Sequence, residues 1–181
     1  MDSRKRIGLA VVSFLLSAVL LSCVAQPVVK PVMPPVPEGA APEGLLRARW
    51  GMTVEETMKA TLEGGNPWFL NSTDRAPFTL YASGTYMDAP ALFTYFFTPK
   101  TKKLYRVDVT LKDPAIYERV RADLTGRFKT PTFSGLGVNH WDWDDRSVVI
   151  LQKNADTVQL GYSGGAMLIL NQQEGNGLLI K

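Results

Sequence analysis

Cysteine and histidine are almost absent from this chain. One cysteine, Cys23, and one histidine, His140, stand among 181 residues. A disulfide framework within the chain is therefore excluded. So is a metal site built from several imidazoles, and a nucleophile–histidine pair would have a single histidine to draw on. No Gly-x-Ser-x-Gly, phosphate loop or dinucleotide fingerprint occurs, and Gly135-Leu136-Gly137 reads only as a turn. No cofactor is implied. Long apolar runs are missing too. The longest, residues 7–21, is broken only by Gly8, Ser13 and Ser17, yet it falls short of the about 20 residues that a membrane-spanning helix needs.

That run follows Arg4, Lys5 and Arg6, which gives it the layout of a signal peptide. It ends in Leu20-Leu21-Ser22-Cys23, which resembles the lipobox of bacterial lipoproteins. The resemblance implies removal of residues 1–22, a thioether-linked diacylglycerol on Cys23 and acylation of the new amino group. The membrane would then be a partner through lipid, with each buried methylene contributing about 0.8 kcal/mol. Val24 follows the cysteine, where an Asp would resemble an inner-membrane retention signal. This favours the outer membrane, with the chain facing the periplasm.

Residues 26–44 hold Pro27, Pro31, Pro34, Pro35, Pro37 and Pro42, half of the 12 prolines. Proline fixes φ and removes a backbone donor, so neither a helix nor a central strand is expected here. The expected organisation is a lipidated cysteine and tether over 23–44, then one globular domain over 45–181. Removing the leader takes the basic residues from 20 to 17 and the acidic ones from 17 to 16, which lowers the formal net charge from +3 to +1. Nucleic acid is therefore not an expected partner.

Within the domain, Thr53 and Glu56 form a capping box ahead of Val54, Met58 and Leu62, which fall on one helical face before Gly64-Gly65. A second helix opens with Asp113 and Pro114, shows Ile116, Val120 and Leu124 on one face, and is expected to stop at Gly126. These markers share one sequence offset, which suggests an internal repeat. Strand patterns follow each helix, at 78–82, 92–98 and 104–111 and again at 138–143, 148–152 and 157–162. Over 104–111, Tyr105, Val107, Val109 and Leu111 alternate with Arg106, Asp108 and Thr110. The fold expected is α+β: two α-β-β-β repeats, about 50–111 and 112–165, forming an antiparallel sheet with helices packed on one face. Residues 166–170 fit either an edge strand or a terminal helix.

Gly51-Met52-Thr53 followed by Glu55-Glu56 resembles the start of the folded part in the SmpA/OmlA family, small outer-membrane lipoproteins of the barrel-assembly machinery. The repeat unit of β-lactamase inhibitory protein is similar in a looser way. The resemblance covers the leader and about 60 residues. It implies a scaffold or adaptor role in the envelope and assigns no binding residue. That family's helix is followed by a second helix, which residues 66–77 do not show.

Polar chemistry concentrates in Asn139-His140-Trp141-Asp142-Trp143-Asp144-Asp145. On a strand, His140, Asp142 and Asp144 would share one face and could hold a cation, with the tryptophans opposite. The simpler reading puts the tryptophans in the core and the polar set in water. Glu55 and Glu56 do not form a catalytic pair, because adjacent helical residues do not face each other. Trp50, Trp68, Phe69, Phe78 and Phe133 fall at element edges and are candidates for an interface, Trp50, Trp68 and Phe69 first. The function expected is a non-enzymatic envelope lipoprotein that binds or scaffolds another envelope protein. The alternative is a module for a lipid, glycan or other small envelope ligand. Cells fed labelled palmitate should label this chain, and Cys23→Ser should lose the label entirely. A labelled Cys23→Ser chain refutes the lipobox.

Overall fold

The computed structural model describes residues 36–176. The leader, Cys23, the tether up to residue 35 and residues 177–181 lie outside it. The architecture is α+β, with three α-helices and a large antiparallel sheet.

A short hairpin, β1 (Gly44–Leu45) and β2 (Ala48–Arg49), precedes α1 (Val54–Glu63). The capping box forms as its residue types require. The Thr53 hydroxyl oxygen accepts from Glu56 N at 3.2 Å, and the Glu56 carboxylate accepts from Thr53 N at 2.7 Å. Gly64 ends the helix, but the buried face is not the expected one. Val54, Thr57, Ala60 and Thr61 are buried, Met58 is half-buried and Leu62 is 56% exposed. Small side chains let α1 lie close against its support, and this displaces the larger stripe toward solvent.

Four strands follow: β3 (Trp68–Ser72), β4 (Thr79–Tyr86), β5 (Ala89–Phe97) and β6 (Leu104–Leu111). Asp113 caps a 3₁₀ turn, Pro114–Ile116, which runs into α2 (Tyr117–Phe128). Ile116, Val120 and Leu124 are buried as expected. Gly126 does not stop the helix. The helix continues to Phe128, which packs edge-on against Trp143 at 5.1 Å, so burial of that ring outweighs the cost of an internal glycine. Four more strands follow: β7 (Phe133–Gly135), β8 (Val138–Asp142), β9 (Val148–Lys153) and β10 (Val158–Ser163). α1 and α2 are thus each followed by four strands where three were expected, the additions being β3 and β7. Residues 66–77 carry β3 and turns. Residues 166–170 belong to α3 (Gly165–Asn176), which settles the strand-or-helix alternative as a helix.

The eight strands run in the order β3-β4-β5-β6-β10-β9-β8-β7, all antiparallel. The seam is β6 against β10, where Val107, Val109 and Leu111 face Tyr162, Leu160 and Val158. These side chains join Phe93, Tyr95, Leu151 and Trp141 in one core, into which Val54 of α1 and Val120 and Leu124 of α2 are buried. Both helices therefore cover the same sheet face. Tyr86 on β4 and Tyr162 on β10 touch through their hydroxyls at 2.9 Å across two intervening strands. A bulge between Phe96 and Phe97 shifts the start of β6. Leu104 turns inward in place of the expected Tyr105, whose ring lies 6.4 Å from Phe96.

Residues 36–44, expected as part of the tether, pack against the domain. Pro37 is buried, the Gly39 carbonyl accepts from Trp143 Nε1 at 2.7 Å, and the Pro42 carbonyl accepts from Trp50 Nε1 at 2.6 Å. Residues 36–44 are part of the folded body. At the other end, the buried Glu174 carboxylate fastens α3 to the β5–β6 turn. It accepts from Lys100 N at 2.6 Å, Thr101 N at 3.0 Å and Thr101 Oγ1 at 2.5 Å. Burial pushes this carboxyl upward, but the Thr101 and Lys100 hydrogen bonds outweigh it and the net shift is downward.

Two expectations follow from the packing. Leu124→Ala should cost about 2–5 kcal/mol in urea unfolding, whereas Leu62→Ala should stay within about 0.5 kcal/mol. Equal losses would contradict the burial of α1. A carboxyl whose folded pKa is depressed stabilises the fold above its unfolded value of about 4.3, and the contribution is lost as pH falls through the folded value. The Tm gap between the parent chain and Glu174→Gln should therefore be full at pH 7 and close below about pH 4. A gap independent of pH would mean that the charge plays no part.

Candidate functional site on the open sheet face

The face away from α1 and α2 is built by alternation. Antiparallel register lines up Leu70, Tyr81, Thr94, Asp108, Gly161, Ile150, His140 and Phe133 in one row across all eight strands. One neighbouring row carries Ser83, Leu92, Thr110, Gln159, Gln152 and Val138. The other carries Phe96, Arg106, Ser163, Val148 and Asp142. Lysine and glutamate are absent from these three rows. They sit instead on exposed helical positions such as Glu55, Glu56, Lys59, Glu63 and Glu118. Apolar side chains at both ends of the face stay uncovered: Phe69 is 58%, Leu70 47% and Phe133 54% exposed.

The centre of the face is a hollow of about 230 Å³ at the seam, lined by Thr94, Arg106, Asp108, Thr110, Ile150, Gln152, Gln159 and Gly161. Arg106 Nε donates to Asp108 Oδ1 at 2.6 Å and Nη2 to Oδ2 at 2.9 Å, a two-pronged pair. The guanidinium also lies 5.6 Å above the Phe96 ring. Burial works against the Arg106 charge, but the hydrogen bonds and charge of Asp108 outweigh it and hold the group protonated. Burial likewise raises the neighbouring Tyr105 phenol, against the lowering effect of Arg106. Gly161 leaves the room. A Cβ there would come within 3.3 Å of Asp108 Oδ1 and 3.6 Å of Arg106 Nη2.

The sequence candidates divide. Phe69 is on this face, its ring 6.3 Å from Tyr81. Phe133 is on it too, 5.6 Å edge-on from His140. Trp68 points to the helix side and packs against the core. Trp50 is half-buried, not an exposed junction residue, with its indole ring on Gly164. Phe78 is half-buried beneath Lys102 Nζ at 3.3 Å. His140 and Asp142 share the open face, and Asp142 Oδ2 accepts from Thr132 Oγ1 at 2.5 Å. Asp144 does not join them. β8 ends at Asp142, and Asp144 is an exposed turn residue. Among the described residues, no group of three or more histidine, cysteine, aspartate or glutamate side chains is placed to hold a metal ion. Trp141 is in the core and Trp143 packs against it.

Sequence reasoning did not single out Arg106, Asp108, Gly161, Tyr81 or Phe96 as site residues. The alternation over 104–111 and 157–162 already turned Arg106, Asp108 and Gly161 outward. What it lacked was the β6–β10 adjacency that brings them together. No family model, curated protein sequence or solved structure matches this chain.

Proposed function

We propose that this chain is a lipid-anchored envelope protein, held at the outer membrane through Cys23, whose open sheet face docks another protein without catalysing a reaction. The observation that carries the docking is the composition of that face. It combines exposed Phe69, Leu70 and Phe133 with Tyr81, Phe96 and a paired arginine, and it is free of lysine and glutamate. Interfaces are enriched in aromatic residues and arginine and depleted of lysine and glutamate, whereas a merely solvated face is not. The central hollow supports a protein over a small ligand. At about 230 Å³ it is smaller than the roughly 300–1,000 Å³ of small-molecule sites, and it suits one inserted side chain. The leader pattern, the lipobox and the Gly51-Met52-Thr53 start support the envelope assignment and the likeness to small outer-membrane lipoproteins.

The two halves, α1 with β3–β6 and α2 with β7–β10, are further proposed to be copies of one unit. The support is a strand order that reads the same outward from the seam in both directions.

A photo-crosslinking residue at position 69 or 133 should give discrete protein adducts in intact membranes, while one at position 62, exposed on α1, should give none. Phe69→Ala with Phe133→Ala should reduce the adduct formed from position 92 at least tenfold while leaving Tm within about 2 °C. Adducts from position 62 alone, or from no position, would overturn the docking face.

A further inference from the structure

We infer that residues 36–52 form a clasp across the β6–β10 seam, and that this clasp holds the hollow of the open face in shape. The segment feeds α1 and so belongs by connectivity to the first half, yet it is tied to both halves. The Gly39 carbonyl takes the Trp143 indole N–H at 2.7 Å. Gly39 also lies so close to α2 that a Cβ would collide with the Arg127 carbonyl oxygen. Leu45 and Ala48 of the hairpin are buried in the common core.

The far end of the segment closes the seam itself. Gly51 N donates to Leu104 O at 2.9 Å, and Leu104 N donates to Met52 O at 2.9 Å, so the strap occupies both backbone groups of the first β6 residue. Next along β6, the Tyr105 carbonyl accepts from Gly164 N at 3.1 Å. The Trp50 ring rests on Gly164, where any Cβ would collide with the indole. Arg106, the following residue, pairs with Ser163 across the seam and lines the hollow. The path from strap to hollow is therefore an unbroken run of backbone bonds and one ring-on-glycine contact. Withdrawing the strap would free Leu104, unload Gly164 and loosen the ladder at the point where Arg106 reaches Asp108. The clasp makes the stretch nearest the tether a handle on the open face, whether or not that face binds a protein.

The test uses the full chain and two mild variants. Trp143→Phe keeps an aromatic ring against Phe128 but removes the N–H to Gly39, and neither residue lines the hollow. Trp50→Phe keeps a ring on Gly164 but removes the N–H to Pro42. In each, the Arg106 Nε–H signal in NMR should shift toward that of a free guanidinium. Amide exchange over 106–111 and 158–163 should rise at least tenfold, with β4 and the outer part of β5 within twofold. An unchanged Arg106 signal with faster exchange confined to 36–52 overturns the clasp. So does an equal rise in all strands, which would be ordinary loss of stability. Should one variant fail to fold, the other carries the same readouts.

Discussion

The pairing of β6 with β10 is the constraint on which the rest depends. Each half alone is a four-stranded antiparallel sheet with one helix, able to bury only a small apolar face. Joined edge to edge through six residue pairs, they form one eight-stranded sheet whose Val107, Val109, Leu111, Leu160 and Tyr162 supply a continuous core. The join removes one open edge from each half, and open edges invite pairing with other chains. It also decides which helix faces must be apolar, because both α1 and α2 have to land on the same side. Period-two alternation then leaves the opposite face, with Arg106, Asp108 and Gly161, outward and adjacent at the middle.

How much of this could be read from residues alone depended on how each element is stabilised. α2 was legible because a single stripe, Ile116, Val120 and Leu124, does the burying. α1 was legible in position, through its capping box, but not in orientation. Its contact face uses Thr57, Ala60 and Thr61, and a hydrophobicity count ranks those below Leu62. Strands with regular alternation, β6 and β10, were found nearly to the residue. β4 and β5 run past the expected 78–82 and 92–98 toward each other, because tertiary pairing carries both strands to the hairpin at Met87-Asp88. β3 is polar and β7 is three residues long, so neither gives a local signal.

The site was harder to read than the fold, for a different reason. Aromatic residues were the available clue, but a ring at an element edge can face either way. Trp68 and Phe69 are neighbours in sequence and are divided between core and solvent by the strand. Trp50 stands beside a proline-rich stretch and still serves the interior, because Pro42 and Gly164 fold back to meet it. The central pair, Arg106 and Asp108, is two residues apart on one strand, a spacing common to every half-exposed strand. Its significance comes from Gly161 on the adjacent strand, and that adjacency is long-range information.

That residues 36–44 belong to the folded body would also change the geometry of a lipid anchor at Cys23. On the lipoprotein reading, residues 24–35 are what the sequence leaves between Cys23 and the folded body. At the polyproline II rise of about 3.1 Å per residue, a stretch of that length would span about 37 Å, against about 65 Å had the tether run to residue 44. A domain held that close to a membrane would meet proteins of that same membrane at high effective concentration, and those farther off poorly. The short reach and the clasp act together. Residues 36–52 contact α2, the Trp143 that follows β8 and the start of β6, so the seam is closed at the end where the chain enters the domain. A partner docking on the open face would therefore meet a surface whose central hollow is braced by the stretch through which the chain enters the domain.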